Sequence, residues 1–126
     1  MNIQPLDKAK LAKSAQGYLD LLASDADWFA RTADDVHALR AGGVGPFIKL
    51  PEADFQEFVA SLTFSQGGLG HASYKPLMGS LSLTEISAVF AHFGIDPIHL
   101  LDYQDMKCTG SHSCSTQYFS VCTSSC

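Results

Sequence analysis

Four cysteines carry the most reactive chemistry in the chain. All lie in its last nineteen residues, as Cys108, Cys114, Cys122 and Cys126 in the spacing C-x5-C-x7-C-x3-C. The same stretch holds six serines and three threonines and no Asp, Glu, Lys or Arg. Oxidation would give a disulfide framework with three alternative pairings, a chemistry of oxidising compartments. Zinc favours short C-x2–4-C pairs, and only Cys122-x3-Cys126 has that spacing. A metal site would draw on Cys108, His112, Cys114, Cys122 and Cys126, and thiolates suit copper(I) as well. The remaining chemistry is covalent modification. A serine or threonine hydroxyl activated as a leaving group is lost to an alkene, and a cysteine thiolate, the reactive form, adds to it and leaves a thioether. Alternatively a Cys, Ser or Thr side chain attacks the preceding carbonyl and closes an azoline. Both routes need a short, flexible, weakly charged substrate.

The candidates for such modification are Cys108, Thr109, Ser111, Ser113, Cys114, Ser115, Thr116, Ser120, Cys122, Thr123, Ser124, Ser125 and Cys126. The segment holding them cannot fold by itself. Its large apolar residues are Tyr118, Phe119 and Val121, too few to offset the entropy of ordering the backbone. It must stay disordered, be cross-linked, bind metal or dock on a partner. Every charged residue precedes Cys108 and no cysteine does, so the composition divides the chain into 1–107 and 108–126.

Residues 1–107 predict an all-α fold, a small helical bundle of four to five short helices. Pro5 suits a first helical turn, and Leu11, Ala15, Tyr18, Leu19 and Leu22 follow at helical spacing. A second helix is expected from an N-cap at Asp25, with Phe29, Thr32, Val36 and Leu39 along one face, ending at Gly42-Gly43. Phe47–Leu50 is a short extended stretch in a Gly/Pro linker. A third helix covers about Glu52 to Phe64, and Ser65–Gly70 is a turn or loop. Ser82-Leu-Thr-Glu85 fits a capping box, opening a fourth helix that buries Leu83, Ile86, Val89, Phe90 and Phe93 and stops at Gly94. Asp96-Pro97 then opens a last helix through about Tyr103. No period-2 pattern argues for a strand.

The whole chain has 126 residues, 46% hydrophobic and 17% charged, with net charge −5 and a pI near 5.3. This is a globular composition, and its acidity argues against nucleic acid and anionic membrane as partners. No apolar run is long enough to span a bilayer, and no secretory signal is expected at Met1–Lys8. Residues 1–107 offer no nucleophile–base pair, phosphate loop or carboxylate pair, so the chain does not read as an enzyme and implies no cofactor.

A folded leader ahead of a Ser/Thr/Cys-rich tail resembles the precursor of a ribosomally synthesised, post-translationally modified peptide. The tail looks most like a lanthipeptide core. Phe93-Gly-Ile-Asp96 is similar to the Phe-Asn/Asp-Leu-Asp box of some lanthipeptide leaders, departing from it at Gly94 and Ile95. The resemblance implies a cytoplasmic substrate whose core is exported as an antimicrobial. It implies a dehydratase and cyclase, or a cyclodehydratase, with a leader protease and an exporter. Release would cut at Lys107; no double-glycine site stands there. Leader recognition would use Phe47 and Ile48, or Phe93, Ile95 and Asp96. Rings in such peptides join a dehydrated residue to a cysteine downstream. Cys114 then has Thr109, Ser111 or Ser113, Cys122 has Ser115, Thr116 or Ser120, and Cys126 has Thr123, Ser124 or Ser125. Cys108 has no donor ahead of it in the tail and is the odd thiol.

Overall fold

A computed structural model of the chain describes residues 6–110, 113–123 and 125–126. The described residues form an α+β fold: five α-helices pack beside a four-stranded antiparallel sheet of order β1-β2-β4-β3. The expected all-α helical bundle is therefore overturned by the sheet. Two of its strands, β1 (Thr63–Ser65) and β2 (Gly68–Ser73), come from the body. The other two, β3 (Gln104–Gly110) and β4 (Ser113–Cys122), form a hairpin that carries the tail onto the body. The composition step at Lys107/Cys108 falls within β3.

The helices arise where caps and apolar spacing agree. Helix α1 (Ala15–Ala23) starts at Ser14, whose hydroxyl accepts from Gly17 N, and it buries Tyr18 and Leu22. The second helix begins later than Asp25 predicts. Thr32 is the N-cap of α2 (Ala33–Ala41), which buries Val36 and Leu39, and Asp34 and Asp35 sit in its positive first turn. Residues 25–31 instead wrap the end of α1. There the Arg31 guanidinium donates to the carbonyls of Leu21, Leu22, Ser24 and Ala26, and to Gly67 O in the β1–β2 turn. One cation thus satisfies the orphan carbonyls of a helix end and ties the sheet to it. Helix α3 (Glu52–Ser61) buries Phe55 and Phe58. It stops before Phe64 because the chain turns there into β1.

Helix α4 (Leu83–Ala91) carries the expected capping box, with Ser82 and Glu85 bonding reciprocally. Ile86, Val89 and Phe90 are buried as expected, but Leu83 is 81% exposed. Gly94 stops the helix with φ +89°, and a Cβ there would lie 2.8 Å from Leu21 Cδ2. Both the backbone angle and the contact require glycine. Asp96 accepts from Ile98 N and Pro97 opens α5 (Pro97–Tyr103). The Pro5 start lies outside the described residues. The first described element is a 3-10 turn, Lys8–Lys10, capped by Asp7.

Strand β2, Gly-Leu-Gly-His-Ala-Ser, has poor intrinsic strand character. Packing makes it. Leu69 and Ala72 are buried in the core, and Leu69 N donates to the buried Tyr18 hydroxyl at 2.8 Å. Gly68 is needed for close approach, since a Cβ there would lie 2.4 Å from Leu22.

His92 follows α4 and is buried against the Phe47 ring, 5.8 Å away, and against Gly45. Burial holds its imidazole below the ordinary 6.5, so the folded chain keeps it neutral. The unfolded chain takes up a proton first as pH falls, so this stability is present above about pH 6.5 and is lost below it. Urea melts at pH 7.5 and 5.5 should give a lower midpoint at the acid value. That window lies above the carboxylate range, and the difference should shrink in His92→Gln.

Candidate functional site

The tail is built from the sheet outward. Among the described residues three pairs join β4 to β2: His71 with Cys122, Ala72 with Val121 and Ser73 with Ser120. Past the strand, Thr123 N donates to Gly70 O at 3.0 Å and the Thr123 hydroxyl donates to Leu69 O. The Ser125 hydroxyl donates to Ser65 O, and Cys126 N to Thr123 O at 3.1 Å. This inner segment is buried at Ser120, Val121, Cys122, Thr123, Ser125 and Cys126.

The outer part of the hairpin lies beyond the body. Across it Cys108 faces Cys114, Lys107 faces Ser115 and Met106 faces Thr116. Lys107, Cys108, Thr109, Ser115 and Thr116 are exposed, and Cys114 is half-buried. The fold therefore sorts the modification candidates into an accessible outer set and a buried inner set. Ser111, His112 and Ser124 lie outside the described residues, and only the strand position of Ser113 is described.

A latch separates the two sets. The Asp105 carboxylate accepts from Phe119 N at 3.0 Å and from the Tyr74 hydroxyl. Tyr74 N donates to Phe119 O at 2.8 Å, and the two rings meet edge to face. Burial, with the Asp105 contact second, pushes the Tyr74 phenol above its ordinary 10. Asp105 and Phe119 both have positive φ, 58° and 64°. Non-glycine residues hold that conformation only where surroundings impose it; here the register of β3 on β4 shifts between Gln104 and Met106. No sequence signal marked Tyr74, Asp105 or Phe119 for this role.

The cysteines pair as Cys108–Cys126 and Cys114–Cys122, with Cα separations of 5.9 and 6.1 Å, both ordinary for disulfides. This is one of the three pairings open from sequence, and Cys108 is bonded to Cys126. The two bridges adjoin: Sγ of Cys108, Cys122 and Cys126 all lie within 4.8 Å of one another.

The expected recognition residues separate. Phe47 is fully buried in a 3-10 turn, Gly45–Lys49, and is not extended. Its neighbour Ile48 is 62% exposed. Phe93, Ile95 and Asp96 are all buried. Their backbone is bonded to Ala12, which donates to Gly94 O at 2.8 Å and accepts from Asp96 N at 2.9 Å. Two exposed apolar residues escaped sequence reasoning, Leu83 on α4 and Ile98 on α5. Among the described residues no helix is long and apolar enough to cross a membrane. No protein-family model, curated protein or solved structure matches this chain.

Proposed function

We propose that the chain is the precursor of a modified peptide, a substrate whose body recruits processing enzymes and whose tail is dehydrated and cyclised. One observation supports it above the others. Of the tail residues, Val121 alone joins the main hydrophobic cluster of described buried residues, and the rest of that cluster comes from the body. The body has its own core, and the tail is an appendage held by a short ladder, side-chain hydrogen bonds and two cross-links. The outer hairpin presents Cys108, Thr109, Cys114, Ser115 and Thr116 to an incoming enzyme. Holding the body while working on the tail raises the local concentration of the reacting groups.

In this reading the partners are a dehydratase with a cyclase, or a cyclodehydratase, followed by a protease cutting at Lys107 and an exporter. The precursor is cytoplasmic and the released product antimicrobial. The test is co-expression with the modifying enzymes encoded beside the gene, followed by intact mass and thiol alkylation. Loss of whole waters with blocked cysteines is the expected result. No loss of water, with all four thiols still alkylated after reduction, would sink the proposal.

Ile48 is the recognition candidate that the fold leaves accessible. Ile48→Asp should weaken binding of the modifying enzyme by about tenfold, the scale of an interface anchor, and leave the melting temperature of the chain unchanged. Calorimetric titration checks the first and a thermal melt the second.

A further inference from the structure

We propose that the four cysteines, once reduced, form a binding site for a single thiophilic cation of the zinc class. The proposal does not depend on the precursor reading, because it concerns the unmodified chain.

The sulfurs are gathered from three places in the fold. Cys108 lies on β3, Cys114 and Cys122 lie on β4, and Cys126 follows the turn beyond it. Three of the sulfurs are mutually within 4.8 Å, and the fourth, on Cys114, is bonded to that of Cys122. Zinc–thiolate bonds of about 2.3 Å in a tetrahedron place sulfurs about 3.8 Å apart. The three clustered sulfurs must therefore close by no more than about one ångström for that geometry, while each disulfide pair opens. Rotation of the cysteine side chains supplies movement on that scale.

Reduction does not remove the contacts that hold the inner ligands. Cys122 remains in the ladder opposite His71. Cys126 remains beside Thr123 and Ser125, which bond to Gly70, Leu69 and Ser65 of the body. Cys122 is 0% exposed and Cys126 9%, so two of the four ligands are already out of water. Cys108 is exposed, which gives the ion an entry side. Residues 108–126 hold no Asp, Glu, Lys or Arg side chain, so the four sulfurs make a soft donor set, as thiophilic metals favour.

The chemistry balances with a phosphine as reductant. Each disulfide takes one phosphine and one water, giving two thiols and one phosphine oxide. Binding zinc to four thiols then releases four protons and leaves a complex of charge −2. In a cell, a glutathione-class thiol would supply the electrons, two thiols being oxidised to one disulfide for each bridge opened. The oxidised chain has no thiolate to offer, so metal and disulfides are alternative states of one cluster.

The test uses the full, unmodified chain, reduced with a phosphine without oxygen and titrated with Co2+ and then Zn2+. One Co2+ per chain is expected, with a thiolate charge-transfer band and the visible spectrum of a tetrahedral ion, displaced by one equivalent of Zn2+. Cys108→Ser, at an exposed position, and Cys126→Ser should each weaken Zn2+ binding at least tenfold. The same titration in urea should show a similar weakening, because the body then no longer holds Cys122 and Cys126. The proposal is overturned by absence of the tetrahedral thiolate spectrum, by more than one ion per chain, or by equal affinity in Cys108→Ser. Equal affinity in urea would also overturn it, since the fold would then contribute nothing to the site.

Discussion

Reducing both disulfides should open the outer hairpin while the body stays folded. The longer bridge, Cys108–Cys126, closes a loop of 18 residues, and the shorter, Cys114–Cys122, closes 8 inside it. On the chain-entropy account a loop of the longer size contributes about 3 kcal/mol, and nesting keeps the two from adding fully. A loss of about 3 kcal/mol raises the open population of the hairpin about a hundredfold. The body does not share that loss equally, because its aromatic core has no cysteine in it. Amide exchange in the reduced chain should therefore speed up by about two orders of magnitude over Gln104–Gly110 and Ser113–Phe119. It should change little in α3 and α4. Uniform acceleration across the chain would mean that the tail and body unfold as one unit. The precursor reading would then lose its separable leader.

The consequence for processing follows from the sorting of the tail. In a reducing compartment the outer set, Thr109, Ser115, Thr116 and the thiols of Cys108 and Cys114, comes free first. Ser120, Cys122, Thr123, Ser125 and Cys126 stay against β1 and β2 until the hydrogen bonds of this segment to the body are broken. An enzyme acting on the oxidised or folded chain meets only the outer set. On the precursor reading, complete modification requires the ladder at Ala72 and Val121 to part.

The helices were legible where caps and apolar spacing coincided. Ser82 with Glu85, Gly94, and Asp96 with Pro97 each marked a boundary that the fold keeps. The start of α2 was misplaced because Asp25 is the better cap by residue type, and Thr32 reads equally well as a residue on the helix face. What decides between them is Arg31, which draws residues 25–31 around the end of α1, and its five carbonyl partners are tertiary. The sheet was illegible for a related reason. Two of the six residues of β2 are glycine, and its burial is imposed by Tyr18 and Leu22 of a distant helix. The hairpin draws on cross-links whose pairing spacing alone does not choose. Composition set the tail apart, but nothing in the sequence told which of its hydroxyls and thiols would face the body.

Phe93→Ala should destabilise the whole chain by about 3–5 kcal/mol, the usual cost of deleting a large buried aromatic. The ring is fully buried. It stands 6.1 Å from Phe90, 6.5 Å from Phe58 and 6.4 Å from Phe64, centroid to centroid. It therefore joins α4, α3 and β1, and its loss leaves a cavity at their junction that no neighbouring side chain can fill without leaving its own place. The residues that follow are held by the Ala12 bridge, so the surroundings relax into the gap only in part. A chemical melt of the single variant measures this directly. The result also bears on the resemblance of Phe93–Asp96 to a leader recognition box. A box read by an enzyme as an exposed segment would lose binding on substitution and keep its stability, the pattern expected of Ile48→Asp. Phe93→Ala should show the reverse order: an early unfolding transition, and weaker enzyme binding only to the extent that the body has unfolded. If Phe93→Ala melts within about 1 kcal/mol of the parent chain, the ring is not part of the core. The segment would then have to leave the body, and the recognition role would return to it.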